Sequence, residues 1–524
     1  MLRGKSVRTV YSLAIMTLGF FVSILLNIGA AAQSAPPATQ QYLPIKIDLA
    51  GNNLIGKKAL AAGAKNEYMI LSYLVTGADV PSLKVQVQGP AAGDRINFTF
   101  YQVCGAPARN PYGYQPDALF PLGQEPQPSG VAEVWVIAKM PANISKGIHH
   151  YELIFSDKKA TFRQPLEIKV WNFSLANDLP ITIEANLFVD ENWFARYGVK
   201  TQRQYDETIR AYLRNMREYK INALGKFYPF PGNQLTPGKR VEDFTGFDQM
   251  QHYVADDLHY RYFRVPRFGG AKEMDRPGSD WLARAKIFFP LFAEYLRRHN
   301  WEQRAIIKII DEPKPNTYQQ VYQAYAAVKT WVPGIRTESA GREPDPLLAK
   351  VINIWVNAAN FYNPDRVAAA KKSGQEIWLY ANRLHGIDRP LVQQRMIGWY
   401  LFQYDFSGYL FWGLDHWLSD PWRTDKLPFD KYRYRRGAFY YPDPRTGMPI
   451  PTTRLESLRR GFQDYQYLRM FNEAYHKGKI SQGVFRNVSQ KVVSVTRDLN
   501  AQNPQVSMQQ LDEIRYQIGE ALDQ

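Results

Sequence analysis

The sequence has a single cysteine, Cys104. One thiol excludes an intramolecular disulfide framework and any cysteine-rich metal site. No G-x-G-x-x-G, G-x-x-x-x-G-K-[ST] or H-E-x-x-H pattern occurs, so the common nucleotide and zinc-protease signatures are missing. Acidic residues are in deficit, 49 against 65 Lys and Arg, for a formal net charge of +16. Only the N-terminus holds a long apolar run, so a polytopic membrane protein is excluded. What is present is apolar enough for a large core. In 524 residues, 45% are hydrophobic and 14% aromatic, which suggests two to four folded units and excludes wholesale disorder.

The first 32 residues read as a leader. Arg3, Lys5 and Arg8 precede the mostly apolar Leu13 to Leu26, and Ala30-Ala31-Ala32 offers a small-residue cleavage site. An uncleaved anchor helix is the alternative. Either way the functional part is expected outside the cytoplasm, secreted or periplasmic. The remaining basic residues are dispersed. They suit solubility or an anionic glycan or membrane surface. A nucleic-acid partner is not expected, nor a membrane role beyond the N-terminal anchor.

Residues 33–42 read as a linker rich in Ser, Ala, Pro and Gln. From 43 to 175, short strands separated by Gly/Pro turns suggest a β-sandwich, with strands at Tyr68–Leu74, Leu83–Val87, Ile96–Val103, Ala132–Ile137, His149–Phe155 and Leu166–Trp171. After Pro180 the pattern alternates strand and helix. Eight strands are read at Ile183–Phe188, Ile221–Gly225, Tyr262–Phe268, Ala305–Ile310, Ile335–Ser339, Val351–Val356, Glu376–Asn382 and Tyr409–Leu414. Helices are read near 202–219, 246–260, 279–299, 315–331, 364–373, 389–404 and 453–475, with a weak connection at 342–350. A doubly wound sheet shares this alternation, but eight strands favour a (β/α)8 barrel of the TIM type over 180–475. Residues 476–524 are expected to be helical and to cap the barrel. The chain is thus multidomain, a β-sandwich followed by an α/β barrel.

A barrel places chemistry at the C-terminal ends of its strands. The fourth strand runs into Asp311-Glu312-Pro313. Adjacent carboxylates where an apolar strand emerges cost free energy unless a site uses them, although Asp and Pro also begin helices. On an extended chain, neighbours point different ways. That suits them poorly as nucleophile and acid on opposite faces of one sugar. It suits substrate assistance, with Glu312 as general acid and Asp311 orienting a nucleophile on the substrate, such as a 2-acetamido oxygen. Glu312 would need its proton near neutral pH, which burial and the Asp311 charge would promote.

Other strand ends offer Tyr228, Trp355 with Asn357, Tyr380 with Asn382, and Trp412 with Asp415 and Trp417. Aromatic faces stack on sugar rings and polar groups take hydroxyls, while core packing is the rival role for each. Asp415, His416 and Asp420 could be read as a metal site, but no second His stands at ligand spacing. No metal or organic cofactor is expected.

Four stretches carry a resemblance: Tyr114 to Pro121, Asp311-Glu312-Pro313, Gly408 to Trp417, and Pro451 to Leu468, which includes Arg454-Leu455-Glu456-Ser457-Leu458-Arg459-Arg460-Gly461-Phe462-Gln463-Asp464-Tyr465. In this order they resemble glycoside hydrolase family 123 and its broader relatives. The resemblance implies a β-sandwich, a (β/α)8 catalytic barrel and retaining, substrate-assisted hydrolysis of β-linked N-acetylgalactosamine. It implies Asp311 as the residue positioning the acetamido group and Glu312 as general acid/base, with Tyr380, Trp412 and Trp417 lining the pocket. On the last helix, Glu456 and Arg460 stand i, i+4 and are expected to pair on its surface. Two rivals remain: a conventional two-carboxylate glycosidase pairing Glu312 with Asp415 or Glu338, and a non-catalytic glycan-binding or exopolysaccharide-processing protein. In each case the partner is an oligosaccharide or polysaccharide.

Overall fold

In the computed structural model the described residues are 45–49, 54–55, 58–90, 95–106, 115–124, 131–188, 194–225, 245–265, 268, 277–387, 389–417, 420–422, 438–499 and 505–524. The leader, the linker at 33–42 and Tyr228 lie outside them.

The N-terminal region is β-rich. One sheet runs Ile45–Asp48, Tyr68–Thr76, Val131–Lys139, Asn97–Ala106, Gln115–Pro121. A second runs Leu54–Ile55, Thr161–Ser174, Gly147–Ser156, Lys84–Gln88, with Ala59–Lys65 also pairing on Thr161–Ser174. Val134, Val136 and Ala138 from the first sheet share a core with Leu153, Phe155, Leu166 and Ile168 from the second. Their neighbours Trp135 and Ile137 point the other way, into the large core of the C-terminal region. Val131–Lys139 is therefore buried on both faces, which is why it reads as a nearly continuous apolar run.

The second region is a curled, all-parallel, eight-stranded sheet of TIM-like form. Its strands are Thr182–Leu187, Asn222–Gly225, Phe263–Arg264, Ala305–Lys308, Arg336–Gly341, Ile354–Ala358, Glu376–Tyr380 and Gly408–Phe411. The eighth pairs with the first, and each later strand from the third onward pairs with the next. The second and third stand at the two ends of the ladder. All eight were legible as strands, but several are shorter than expected. The third has two residues, Phe263 and Arg264, with the Arg264 side chain turned inward. The 342–350 connection holds only the 3₁₀ turn Leu348–Lys350.

The helices follow the usual physics. In Gln202–Glu218, Thr201 caps the N-terminus in a reciprocal box with Gln204, and Thr208, Ile209, Tyr212, Leu213 and Met216 form the buried stripe. Helix Thr453–His476 differs, because it is buried almost all round at its N-terminal half. It crosses Leu391–Gln403 so closely that a Cβ on Gly398 would lie 1.8 Å from the Gly461 carbonyl oxygen. Glycine at both positions is a packing requirement. Helix Met508–Leu522 is not a cap on the barrel alone. Gly519 lies against Trp171, Glu520 accepts from the Trp171 indole at 2.8 Å, and Asp523 accepts from the Asn172 amide at 2.6 Å. The C-terminus thus clips the N-terminal sheet to the barrel.

Candidate active site

The inward-facing positions of the barrel divide into two sectors. Ile306, Ala340, Ile354, Val356, Trp378 and Leu410 form an apolar sector packed by Tyr262 and Tyr380. Trp378 fills it so fully that a Cβ on Gly408 would lie 2.6 Å from the indole, so the eighth strand must begin with glycine. The other sector is charged. Arg264 from the third strand contacts Glu184 of the first at 3.0 Å and Glu338 of the fifth at 2.5 Å. It also donates to Asn186 Oδ1 at 3.3 Å. Lys308 Nζ lies 3.8 Å from Glu338 and 2.7 Å from Asp311 Oδ1.

These charges sort themselves. Burial works to raise the Glu338 carboxyl, but Arg264 and Lys308 outweigh it and hold Glu338 below the usual carboxylate range. Burial, together with the Glu338 charge, pushes Glu184 well above that range despite Arg264. The balance therefore favours the proton on Glu184 and the negative charge on Glu338. Two cations then face Glu338 and Asp311, and Lys308 links the buried network to the mouth.

Asp311 and Glu312 are not on the strand. The ladder ends at Lys308 and the pair occupies a bend beyond it. Glu312 takes φ +47°, a left-handed conformation that is uncommon for a residue with a Cβ. The bend therefore sets the backbone at the pair, not the strand alternation that the sequence suggested. The expected burial of Glu312 is also absent, since both carboxylates are exposed at the mouth. Asp311 is anchored by Lys308, whereas among the described residues Glu312 has no hydrogen bond or ion pair.

The surrounding residues divide. Tyr380 ends the seventh strand on the inward side, half-buried. Asn382 follows it, and its Oδ1 is sealed from solvent with no hydrogen-bond partner among the described residues. Trp412, half-buried after the eighth strand, contacts Phe188 and His416 edge-on or tilted, with ring centroids 5.9 and 4.8 Å away. Three residues are engaged in packing or in bonds between elements. Trp355 points away from the barrel interior into the core at 1% exposure, and its indole donates to the Arg342 carbonyl at 3.1 Å. It alternates with the inward Ile354 and Val356, so strand parity assigns it to packing. Asp415 is buried and accepts from the Phe188 amide at 2.8 Å, tying the end of the first strand to the end of the eighth. Trp417 lies on Tyr441 with centroids 4.6 Å apart, and its indole donates to the Tyr440 carbonyl at 2.7 Å. It belongs to the junction with Cys104, Ala118 and Phe120 of the N-terminal sheet. Asp420 accepts from Tyr197 at 2.9 Å while His416 packs between aromatic rings, so the Asp415, His416, Asp420 metal reading gains no geometry.

Two of the stretches singled out in the sequence, Tyr114 to Pro121 and Pro451 to Leu468, meet. Asp117 receives Nε and Nη2 of Arg454 at 2.9 and 2.8 Å, and the Tyr441 hydroxyl at 2.8 Å. Arg454 also donates to the His385 carbonyl at 2.7 Å. Glu456 is buried rather than on the surface. It bonds Arg459 and the Tyr219 hydroxyl, while Arg460 turns to Asp512. The i, i+4 surface pair is therefore not formed.

Residues 250–471 match the family model described as the glycoside hydrolase 123 catalytic domain. Over that stretch the chain is similar to a glycoside hydrolase 123 catalytic domain. The matched range takes in barrel strands three to eight, Asp311-Glu312 and most of helix Thr453–His476. Among solved structures, the family 123 glycoside hydrolase from Clostridium perfringens, described for glycolipid glycan hydrolysis, is similar at TM-score 0.66 and 13% identity, over 89% of this chain and 93% of that one. Bacteroides uniformis β-glucuronidase 3 aligns at TM-score 0.31 and 11% identity, over 76% of this chain and 51% of that one. The endo-β-1,4-mannanase from Thermotoga petrophila aligns at TM-score 0.35 and 12% identity, over 55% and 77%. No curated protein matches the chain. The hydrolase is thus an enzyme acting on carbohydrate.

Sequence reasoning missed the functional weight of Arg264, Glu184 and Lys308. The signal was available: each is a lone charge at an inward position of an apolar strand, as in Ala305-Ile306-Ile307-Lys308.

Proposed function

We propose that the hydrolase cleaves β-linked N-acetylhexosamine, with N-acetylgalactosamine the leading candidate, by a retaining, substrate-assisted route. The observation that carries this reading is the unequal treatment of two adjacent carboxylates: Lys308 anchors Asp311 as an anion, while Glu312 is uncommitted. Glu312 protonates the glycosidic oxygen as the bond to C1 breaks. The acetamido oxygen attacks C1, and Asp311 accepts the acetamido N–H and stabilises the positive charge that develops on the oxazolinium ring. Water then attacks C1, losing its proton to Glu312, and the β configuration is kept. The burial that Glu312 lacks in the open mouth is supplied by the bound sugar, which displaces water. Tyr380 and Trp412 offer apolar faces to a sugar ring.

A conventional scheme finds less support. Glu338 has no exposed surface and is committed to Arg264, and Asp415 is bonded to the Phe188 amide. Glycolipid glycans, the substrates named for the Clostridium perfringens enzyme, are the first natural candidates. The leader-like N-terminus supports a secreted or periplasmic enzyme, and no described helix is long and apolar enough to cross a membrane. Proton NMR of the first-formed hemiacetal tests the mechanism. The β anomer appearing first, followed by mutarotation, is expected. The α anomer appearing first would rule out retention.

A further inference from the structure

At the end of the barrel opposite the mouth, helix Thr245–His252 and the C-terminus of helix Ser279–Arg298 bring three donors together. Asp248, His252 and His299 each present one ligand atom, all within 4.8 Å of one another. His299 Nε2 is 3.4 Å and His252 Nε2 3.6 Å from Asp248 Oδ1. Ligands on a tetrahedral zinc at ~2.0–2.2 Å stand about 3.4 Å apart, so these spacings already approach a coordination shell.

The outer contacts point the same way. His252 turns its other nitrogen, Nδ1, to Asp256 Oδ2 at 2.6 Å, the carboxylate–histidine arrangement that orients imidazole ligands toward a metal. Asp256 is in turn within 3.6 Å of Arg304. The Tyr295 hydroxyl donates to Asp248 Oδ1 at 2.8 Å. Trp301 stacks on His299 with centroids 4.5 Å apart and meets His252 edge-on at 4.7 Å, fixing both rings. Asp248, His252 and His299 are all partly exposed, so an ion has access.

We infer that Asp248, His252 and His299 form a binding site for a divalent transition-metal ion of the zinc class, with water completing the shell. Two imidazoles and one carboxylate suit zinc, cobalt or nickel better than calcium or magnesium. The ion would clip two barrel helices together, far from Asp311 and Glu312, and so would be structural rather than part of glycoside cleavage.

The test uses untagged protein stripped with chelator. Zinc binding is measured by equilibrium dialysis on the wild type, on His252→Gln/His299→Gln and on Asp256→Asn. One zinc per chain, lost in the double variant and weakened ~10–100-fold by Asp256→Asn, is expected. Wild-type uptake no greater than that of the double variant would overturn the assignment and leave a hydrogen-bonded cluster only. Should the double variant fail to fold, the visible spectrum of Co²⁺-loaded wild type decides. An intense four-coordinate spectrum supports the site, and a weak spectrum like that of aqueous cobalt overturns it.

Discussion

Truncating Asp117 should unfasten the N-terminal sheet from the catalytic barrel. Asp117 and Arg454 are each 2% exposed at the side chain and meet in a two-point pair at 2.9 and 2.8 Å. In Asp117→Ala, Arg454 keeps the His385 and Ala438 carbonyls, but its buried guanidinium loses the Asp117 carboxylate. Breaking a buried pair from one side costs roughly 3–5 kcal/mol, most of it from the stranded partner. The Tyr441 hydroxyl also loses its bond to Asp117, which adds about 1 kcal/mol. Arg454→Met alone should cost a similar amount, and the double variant clearly less than the sum of the two. Urea unfolding of the four proteins closes the cycle. A loss below about 1 kcal/mol for Asp117→Ala, or simple additivity, would refute the argument that this pair couples the two regions.

Other perturbations follow from the same geometry. Because Glu312 sits at φ +47°, Glu312→Gly should be about 1 kcal/mol more stable than Glu312→Ala in urea unfolding. Equal stability would mean that the bend is not strained. Lys308→Met, which removes the cation from Asp311 and Glu338, should lower kcat at least tenfold (about 1.4 kcal/mol) with a smaller change in KM. An unchanged kcat would show that Asp311 needs no anchor. Burial, with Arg454 nearby, pushes His385 well below the usual histidine value. Below about pH 6.5 the unfolded chain binds a proton that the native state does not, so stability falls with acidification by about 1.4 kcal/mol per pH unit. His385→Gln should remove that part of the slope between pH 6.5 and 5.5, and parallel curves for the two proteins would contradict it.

Much of this was legible in the chain, for stated reasons. Eight strands could be read because apolar runs such as Ala305–Lys308 and Glu376–Tyr380 are separated by helical periodicity. The Asp311-Glu312 pair was visible because carboxylates at the end of such a run have few structural uses. Trp355 was misplaced because strand parity, not nearness to a strand end, decides which side chains face the barrel interior. Trp417 was misplaced because its partners, Tyr441 and Phe120, come from distant parts of the chain. The Glu456 pairing failed for a similar reason. Helical spacing allowed Arg460, but tertiary burial delivered Arg459 and Tyr219 instead. The charged sector of the barrel was hidden because each member looks anomalous only within its own strand, and only the curled sheet brings Arg264, Glu184, Glu338 and Lys308 together.

The central claim is that Glu312 works with the substrate's own acetamido group. The direct measurement is turnover of 4-nitrophenyl β-glycosides, N-acetylgalactosaminide and N-acetylglucosaminide against galactoside and glucoside, by the wild type and Glu312→Gln. Hydrolysis of an acetamido sugar alone, lowered ~10²–10⁴-fold in the variant, is the predicted result. Equal hydrolysis of the sugars lacking the acetamido group, or full activity in Glu312→Gln, would contradict it.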